Sequence, residues 1–500
     1  NIINLIPPKL MTLSMKLKLT IFIVFLSTQG CMYQTYYEEP INVTEVIEEI
    51  NSWSISNPDL NRFLKLNGVV PEIIQTNIFS INRLFLTGIY YDPEMQTAYK
   101  KWKKSKNVLG NSDYKINPEF FVPFEHHSDT SGGESEWTIG VVLSFIYERK
   151  GKREARIAKK KIKLLNLSLE IYRLALDRYG LFKEKYHAYA LRQAKITEIE
   201  NGLIVLKDLF LQLQYKYELG AVSQIELNST RLELQRSSFE LSLQENKLQE
   251  NKDELLMMTN LVHSELDTIE IETTEPLLFA KTAYEEMDII GSDLSELQKM
   301  MMDNNLDMAI ELNDYAQSEA GLRLEIEKQY PNLVLSPGFI FDQTDNLWSL
   351  GTSWVLPLFE NSQQNINILK ALEERKIKQQ EVIVLQKEML SSLYQRYHSV
   401  VRHKSLIKIS DNIIVFIEQR TKELEKQMEI GGIDSIAMMR NKIEFYKARN
   451  EQIDIYKEAT YAILEFEHLL KSVHSEIHIN DIVTSWLKLM EERSDNELVN

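Results

Sequence analysis

The side chains that could do chemistry are few and scattered. His126-His127, the pair His187 and His398, the run Met300-Met301-Met302 and the single cysteine, Cys31, are the candidates. Adjacent imidazoles or a run of thioethers could contact a soft or borderline metal, and histidine changes charge between pH 5 and 8. Each also has an ordinary reading, which is the preferred one. His126-His127 suits an external loop, His187 and His398 suit packed or groove-facing rings, and methionines on a helix face suit an adaptable core. No phosphate-cradling glycine loop, metalloprotease helix motif or other catalytic constellation stands out. The expectation is a chain that is not an enzyme, with no cofactor and no resident metal. One cysteine excludes a disulfide framework or a cysteine metal cluster within the chain. A net charge of -16 argues against a nucleic-acid partner, since phosphate binding wants a basic face.

The elements that would position these residues occur twice. An offset of 211 residues carries Trp137-Thr-Ile-Gly140 onto Trp348-Ser-Leu-Gly351, Lys159 onto Lys370, and Tyr186-His187 onto Tyr397-His398. The same offset carries Asn201 onto Asn412, Glu218-Leu-Gly220 onto Glu429-Ile-Gly431, Ile225 onto Ile436, and Glu240 onto Glu451. Upstream the offset is 213, pairing Pro93-Glu94-Met95 with Leu306-Asp307-Met308 and Pro118 with Pro331. The polar stretch near Ser128 to Ser135 absorbs the difference as a loop. Such self-similarity means one unit used twice.

Each unit reads as helix, strand, loop, strand, long helix, tight turn, helix. Strands are expected at about 119–126, 136–147, 332–341 and 347–358, and long helices at about 149–217 and 360–428. Each long helix would extend roughly 100 Å. Ile162, Leu165, Leu169, Tyr172, Leu176 and Tyr179 alternate steps of three and four, and Leu227, Leu234, Leu241, Leu248 and Leu255 recur every seven. Sustained heptads mean coiled-coil packing. A second stripe, Leu164, Leu167, Ile171 and Leu174, lets one helix meet two neighbours, as in a cylinder wall.

In the strands, apolar residues alternate with small polar ones. Trp137, Ile139, Val141, Leu143 and Phe145 share one face, with Thr138, Gly140 and Ser144 opposite; Trp348, Leu350, Trp354 and Leu356 oppose Ser349, Gly351 and Ser353. About ten residues suit a tilted transmembrane strand, and Trp137, Tyr147, Trp348 and Trp354 suit an interfacial girdle. Four strands cannot close a barrel, and open edges are not tolerated in lipid. Two copies would fill their own interior; three copies leave a lumen, so a homotrimer is expected.

The N-terminus reads as a secretory signal over residues 1–30, upstream residues included. Lys16 and Lys18 follow Met15, Leu19 to Leu26 are apolar, and Gly30-Cys31 follows. This order resembles a lipoprotein signal, in which Cys31 becomes the lipidated N-terminus. After Cys31 no apolar run reaches the ~20 residues of a membrane helix. Residues 31–500 read as a single subunit: a first repeat at about 85–263, an equatorial connector at about 264–292, a second repeat at about 293–472, and a polar C-terminal tail at 473–500.

The duplicated order of elements resembles the TolC-like outer-membrane efflux family. Asn117-Pro-Glu-Phe-Phe-Val-Pro-Phe-Glu125, Lys150-Gly-Lys-Arg-Glu-Ala-Arg156, Tyr330-Pro-Asn-Leu and Leu356-Pro-Leu-Phe359 resemble that family's heavy-metal branch, which serves cobalt–zinc–cadmium and copper efflux. The resemblance implies a mainly α chain whose four strands join a homotrimeric 12-stranded barrel on a long α-helical barrel. It implies a periplasmic adaptor and an inner-membrane resistance–nodulation–division pump as partners. It further implies that Leu219-Gly220-Ala221 and Ile430-Gly431-Gly432 form tips that meet the adaptor. Glu226, just inside the first tip, would form a ring of charge at the narrowest point. Ala437 stands at the matching position of the second repeat and Arg440 one turn further, so the aspartates that line the family's constriction there are absent. Lys150, Lys152, Arg153 and Arg156, with Lys159 to Lys161, would lie below the barrel and could meet inner-leaflet phosphates, or form a solvated helix start. The channel of a type I protein-secretion system shares this fold and is the main alternative. A cytosolic coiled-coil scaffold would require Lys16 to Cys31 not to be a signal.

Overall fold

The computed structural model describes residues 36–111, 116–128, 136–273, 276–290, 293–342, 345–354, 363–470 and 478–497. The signal-like segment and Cys31, the Leu356–Phe359 corner and most of the Ser128–Ser135 loop lie outside them. The chain divides into two units, residues 1–52 and 53–500. In the first, helix α1 (Val43–Asn51) starts at the Asn42 cap, and Val43, Val46, Ile47 and Ile50 are exposed.

The second unit opens with α2 (Pro58–Leu66), α3 (Pro71–Ile74), β1 (Ile78–Phe79) and α4 (Ile81–Tyr91). The first repeat continues through α5 (Pro93–Gly110), β2 (Glu119–Phe121), β3 (Phe124–His126), β4 (Trp137–Tyr147), α6 (Lys150–Glu218) and α7 (Gln224–Met257). A connector of α8 (His263–Leu266), β5 (Glu270–Ile271) and α9 (Pro276–Ile290) follows, with β5 parallel to β1. The second repeat comprises α10 (Leu294–Asn304), α11 (Leu306–Glu327), β6 (Leu333–Asp342), β7 (Asp345–Ser353), α12 (Gln363–Glu429) and α13 (Ser435–Leu470). Helix α14 (Ile479–Glu497) is the last element.

The duplication is physical as well as textual. Asp92 caps α5 by accepting from the amides of Glu94 and Met95; Asn305, 213 residues on, caps α11 by accepting from Asp307 and Met308. At the ends of α6 and α12, Gly220 and Gly431 hold φ of 74° and 75°, a left-handed backbone that glycine adopts without a Cβ penalty. The following amides reach back five residues, Ala221 to Lys216 and Gly432 to Gln427, both at 2.8 Å. These bonds satisfy carbonyls that the helix end would orphan.

The strand expected at 119–126 is two short strands, because Pro123 has no N–H to give the ladder. Gly140 repairs the break by donating to the Pro123 carbonyl at 3.0 Å. A Cβ at Gly140 would lie 2.8 Å from Ile340 and 2.9 Å from Pro123, so the crossing admits glycine alone. The sheet order is β2/β3–β4–β6–β7, antiparallel throughout.

The C-terminal stretch is a packed helix rather than a polar tail. Ile482, Val483, Trp486, Leu489 and Met490 of α14 are buried against Leu60, Phe63, Tyr90 and Tyr99. Its outer face is tied down by Lys106–Glu491, Arg62–Glu492 and a Lys103–Ser494 hydrogen bond. Apolar residues spaced by three and four form one stripe even where average composition is polar. No described helix is long and apolar enough to cross a membrane.

Candidate functional site

Within this one sheet, register decides which residues share a face. Ile139, Val141, Phe145 and Tyr147 of β4 stand opposite Phe341, Phe339, Leu335 and Leu333 of β6, and Phe339 stands opposite Trp348 of β7. Phe120 and Phe124 join this face from β2 and β3. The result is an apolar surface left uncovered: Trp348 is 84% exposed and Tyr147 is 57% exposed. The opposite face is mixed: Thr138, Gly140, Ser144, Ser336, Gly338, Ser349 and Gly351 share it with Val142, Ile146, Val334, Ile340 and Leu347, and Ser144 and Ser336 are hydrogen-bonded at 2.9 Å. An exposed apolar side against a face where small and polar residues gather is compatible with a barrel wall between lipid and lumen.

The expected girdle splits into levels. Trp137, stacked on Phe124 at 4.7 Å, marks the hairpin end. Tyr147 pairs with Leu333, and Trp354 follows β7 at the same helix-proximal end. Trp348 sits level with Val141 and Phe339, midway along the sheet.

Two members of the expected basic cluster are internal anchors. Lys152 is 8% exposed and donates to Asn332 at 2.7 Å, and burial pushes its ammonium below the usual lysine range. Arg156 grips both oxygens of Glu148 at 2.5 and 2.9 Å. These side chains lock the start of α6 to the strands around it. Lys150 is exposed beside Glu154 at 3.5 Å, and Lys161 is exposed further along the same helix.

His187 and His398 are packed rings, whereas His126 closes β3 opposite Trp137 and is not in a loop. His187 is 6% exposed with its ring stacked on Phe279 at 4.0 Å. Burial, and then the nearby Lys183 charge, lower its pKa to about 3, so it is neutral at physiological pH. His398 packs against Tyr394 at 4.3 Å and Tyr397 at 5.4 Å. His127 bonds Thr138 at 2.9 Å, and Thr138 donates to Asp342. Met301 is fully buried in a core with Leu297, Met308 and Leu393. Among the described residues no group of histidines and carboxylates could hold a metal ion.

At the tips, Leu219 is 66% exposed, Ile430 83% and nearby Ile225 82%. Ion pairs between the two hairpins knit them together. Lys216 meets Asp434 at 2.7 Å, and that partner, with the Ala437 amide, holds the Asp434 carboxyl below its usual range. Glu226 pairs with Arg440, and seven residues on Glu233 pairs with Lys447. Within the chain Glu226 is therefore a compensated carboxylate. The matching seven-residue spacing of Glu226/Glu233 and Arg440/Lys447 carried the signal in the sequence; the rotation that brings them together did not.

The helices have a fixed lateral order. α6 packs against α5, α7, α11 and α13, and α12 against α11 and α13. One flank of the second unit is thus β2/β3, α5 and α7, and the other is β7 and α12. Both flanks carry exposed apolar residues at seven-residue spacing: Ile225, Leu232 and Phe239 on α7, and Ile377 with Val384, then Ile409 with Phe416, on α12.

The sequence matches no protein-family model and no curated protein. Solved structures do match the fold. The chain is similar to the outer membrane protein VceC of Vibrio cholerae with a TM-score of 0.59 and 13% identity, over 78% of this chain and 95% of that one. The Campylobacter jejuni CmeC outer membrane channel gives 0.57 and 10%, over 92% and 94%. CusC, solved in a study of transmembrane channel formation, gives 0.57 and 10%, over 78% and 91%. The chain therefore has the fold of the outer-membrane channel proteins.

Proposed function

We propose that the chain is one subunit of a homotrimeric outer-membrane channel. Its four strands supply a third of a 12-stranded barrel, and its long helices supply a third of a periplasmic tunnel. The observation that carries this reading is the pair of unfilled flanks, each with a free strand edge above and an exposed apolar helix face below. Unpaired edges cannot remain in lipid. A head-to-tail contact between unlike flanks closes into a ring. The channel serves tripartite efflux: the tips at Leu219-Gly220-Ala221 and Ile430-Gly431-Gly432 dock a periplasmic adaptor, which joins a resistance–nodulation–division pump. Small toxic solutes are the cargo, with heavy-metal cations among them on the strength of the Asn117–Glu125 and Lys150–Arg156 motifs. Cys31 carries the lipid anchor. Native mass spectrometry of detergent-extracted protein tests the assembly; a trimer mass is expected, and a stable monomer or dimer defeats the reading. The same preparation labelled with a tagged fatty acid should lose label in Cys31→Ser.

A further inference from the structure

The internal duplication allows the missing subunit contact to be written residue by residue. Within the chain, α11 of the second repeat lies in a seam against α6 of the first. Asn166 donates to Asp314 at 2.5 Å and to the Ile310 carbonyl at 3.4 Å, and Arg173 meets Asp307 at 3.4 Å. Ser318 and Leu322 are buried there, and the Lys159 side chain lies over Gly321. The offset of 213 carries α11 onto α5, and the offset of 211 carries α6 onto α12. Ser318 and Leu322 fall on Ser105 and Leu109, residues of the same type. In one chain, however, apolar residues of the transposed seam stay exposed: Ile377 is 57% exposed on α12, and Val108 is 45% exposed on α5.

The charges along the transposed seam differ from those of the original. Asp314 maps to Lys101, Glu319 to Lys106, and Lys163 to Glu374. Lys100, Lys101 and Lys104 are exposed on α5 and have no ion pair among the described residues. Asn166 maps to Ile377, which has Glu373, Glu374 and Glu381 within one turn of it on α12. Lysines on one flank thus fall level with glutamates on the other. Glu373 and Glu381 already touch Lys376 and Lys378 of their own helix, at 2.8 and 2.6 Å, and Lys378 also reaches Glu311 and Asp314 of α11 at 3.8 Å. Such exposed contacts within a helix are weak and leave oxygens for a second cation.

We infer that α5 of one copy lies against α12 of a second copy as α11 lies against α6, clasped by Lys100, Lys101 and Lys104 on Glu373, Glu374 and Glu381. The charge inversion also disfavours two α5 flanks meeting, because lysines would face lysines. The inference rests on the trimeric reading but adds the register and the partners of one seam.

The test places Lys101→Cys and Ile377→Cys together in a Cys31→Ser background and oxidises membranes. A covalent ladder of two and three chains is expected. Asn166→Cys with Asp314→Cys, the same seam inside one chain, should crosslink without changing mass, which confirms folding. Separately, Lys100→Glu, Lys101→Glu and Lys104→Glu combined should lower the trimer-to-monomer ratio about tenfold at low salt, as three exposed ion pairs imply. Glu373→Lys with Glu381→Lys should restore it. Trimers that show neither the ladder nor any response to charge reversal overturn the clasp and leave the channel reading intact. Absence of trimers in the unmodified protein overturns the channel reading itself.

Discussion

Glu226 shows how a residue's role depends on what faces it. A bare glutamate ring at a constriction attracts cations, but Arg440 compensates this carboxylate across the two hairpins. Both side chains are substantially exposed, so the pair contributes little to stability, within about 1 kcal/mol. In the proposed trimer its effect would be on the field in the tunnel. Arg440→Gln should unmask three glutamates and raise cation selectivity, read as the reversal potential under a salt gradient in planar bilayers. Glu226→Gln should unmask three arginines and move that potential the opposite way. Shifts of the same sign in both variants would mean that neither residue faces the conducting path. The sequence displays both residues and their spacing. What it does not display is helix rotation about a heptad seam, which is set by packing on both neighbours at once. The same limit applies to Lys152, a surface cation by composition and a buried anchor by its contact with Asn332.

Elements were legible wherever one period dominated. The long helices expected at about 149–217 and 360–428 are found at Lys150–Glu218 and Gln363–Glu429, because heptads run through them and glycines end them. Legibility failed at two points with distinct causes. Pro123 cuts a strand that alternation alone leaves whole, and α14 hides an apolar stripe within a polar average. The consequence for α14 is quantitative. Trp486 is fully buried and meets Tyr99 edge-on at 6.0 Å, beneath the cluster that also holds Phe63, Tyr90 and Phe182. Trp486→Ala should cost about 3–5 kcal/mol, the range for a large aromatic removed from a packed core. A urea or thermal unfolding series in detergent measures this. A loss below about 1 kcal/mol, the range of surface substitutions, would return the segment to the status of a dispensable tail.

At the scale of the assembly, the two tips of one chain are near copies, and this carries a prediction about the adaptor. Gly220 and Gly431 hold the same φ, and each is followed by an amide that reaches back five residues at the same 2.8 Å. Three subunits would present six such turns around the tunnel's end. Proline cannot take a φ near +75°, since its ring fixes φ near -65°. Gly220→Pro or Gly431→Pro therefore rebuilds a tip locally. The seams proposed to hold the subunits together lie on α5, α7 and α12 and stay untouched. Trimers should persist in the membrane while adaptor binding, measured by pull-down or surface plasmon resonance with the adaptor's helical hairpin, falls about tenfold, the ~1.4 kcal/mol expected when one anchoring contact is lost. The surroundings of the two turns are not identical: Asp434 of the second bonds Lys216 of the first, and Ala221 stands where Gly432 stands. If the adaptor reads the turn geometry, both substitutions weaken docking alike. If it reads side chains, one weakens docking and the other does not, and the six tips would act as two sets of three. Adaptor binding unchanged by both would remove the tips from the docking surface altogether.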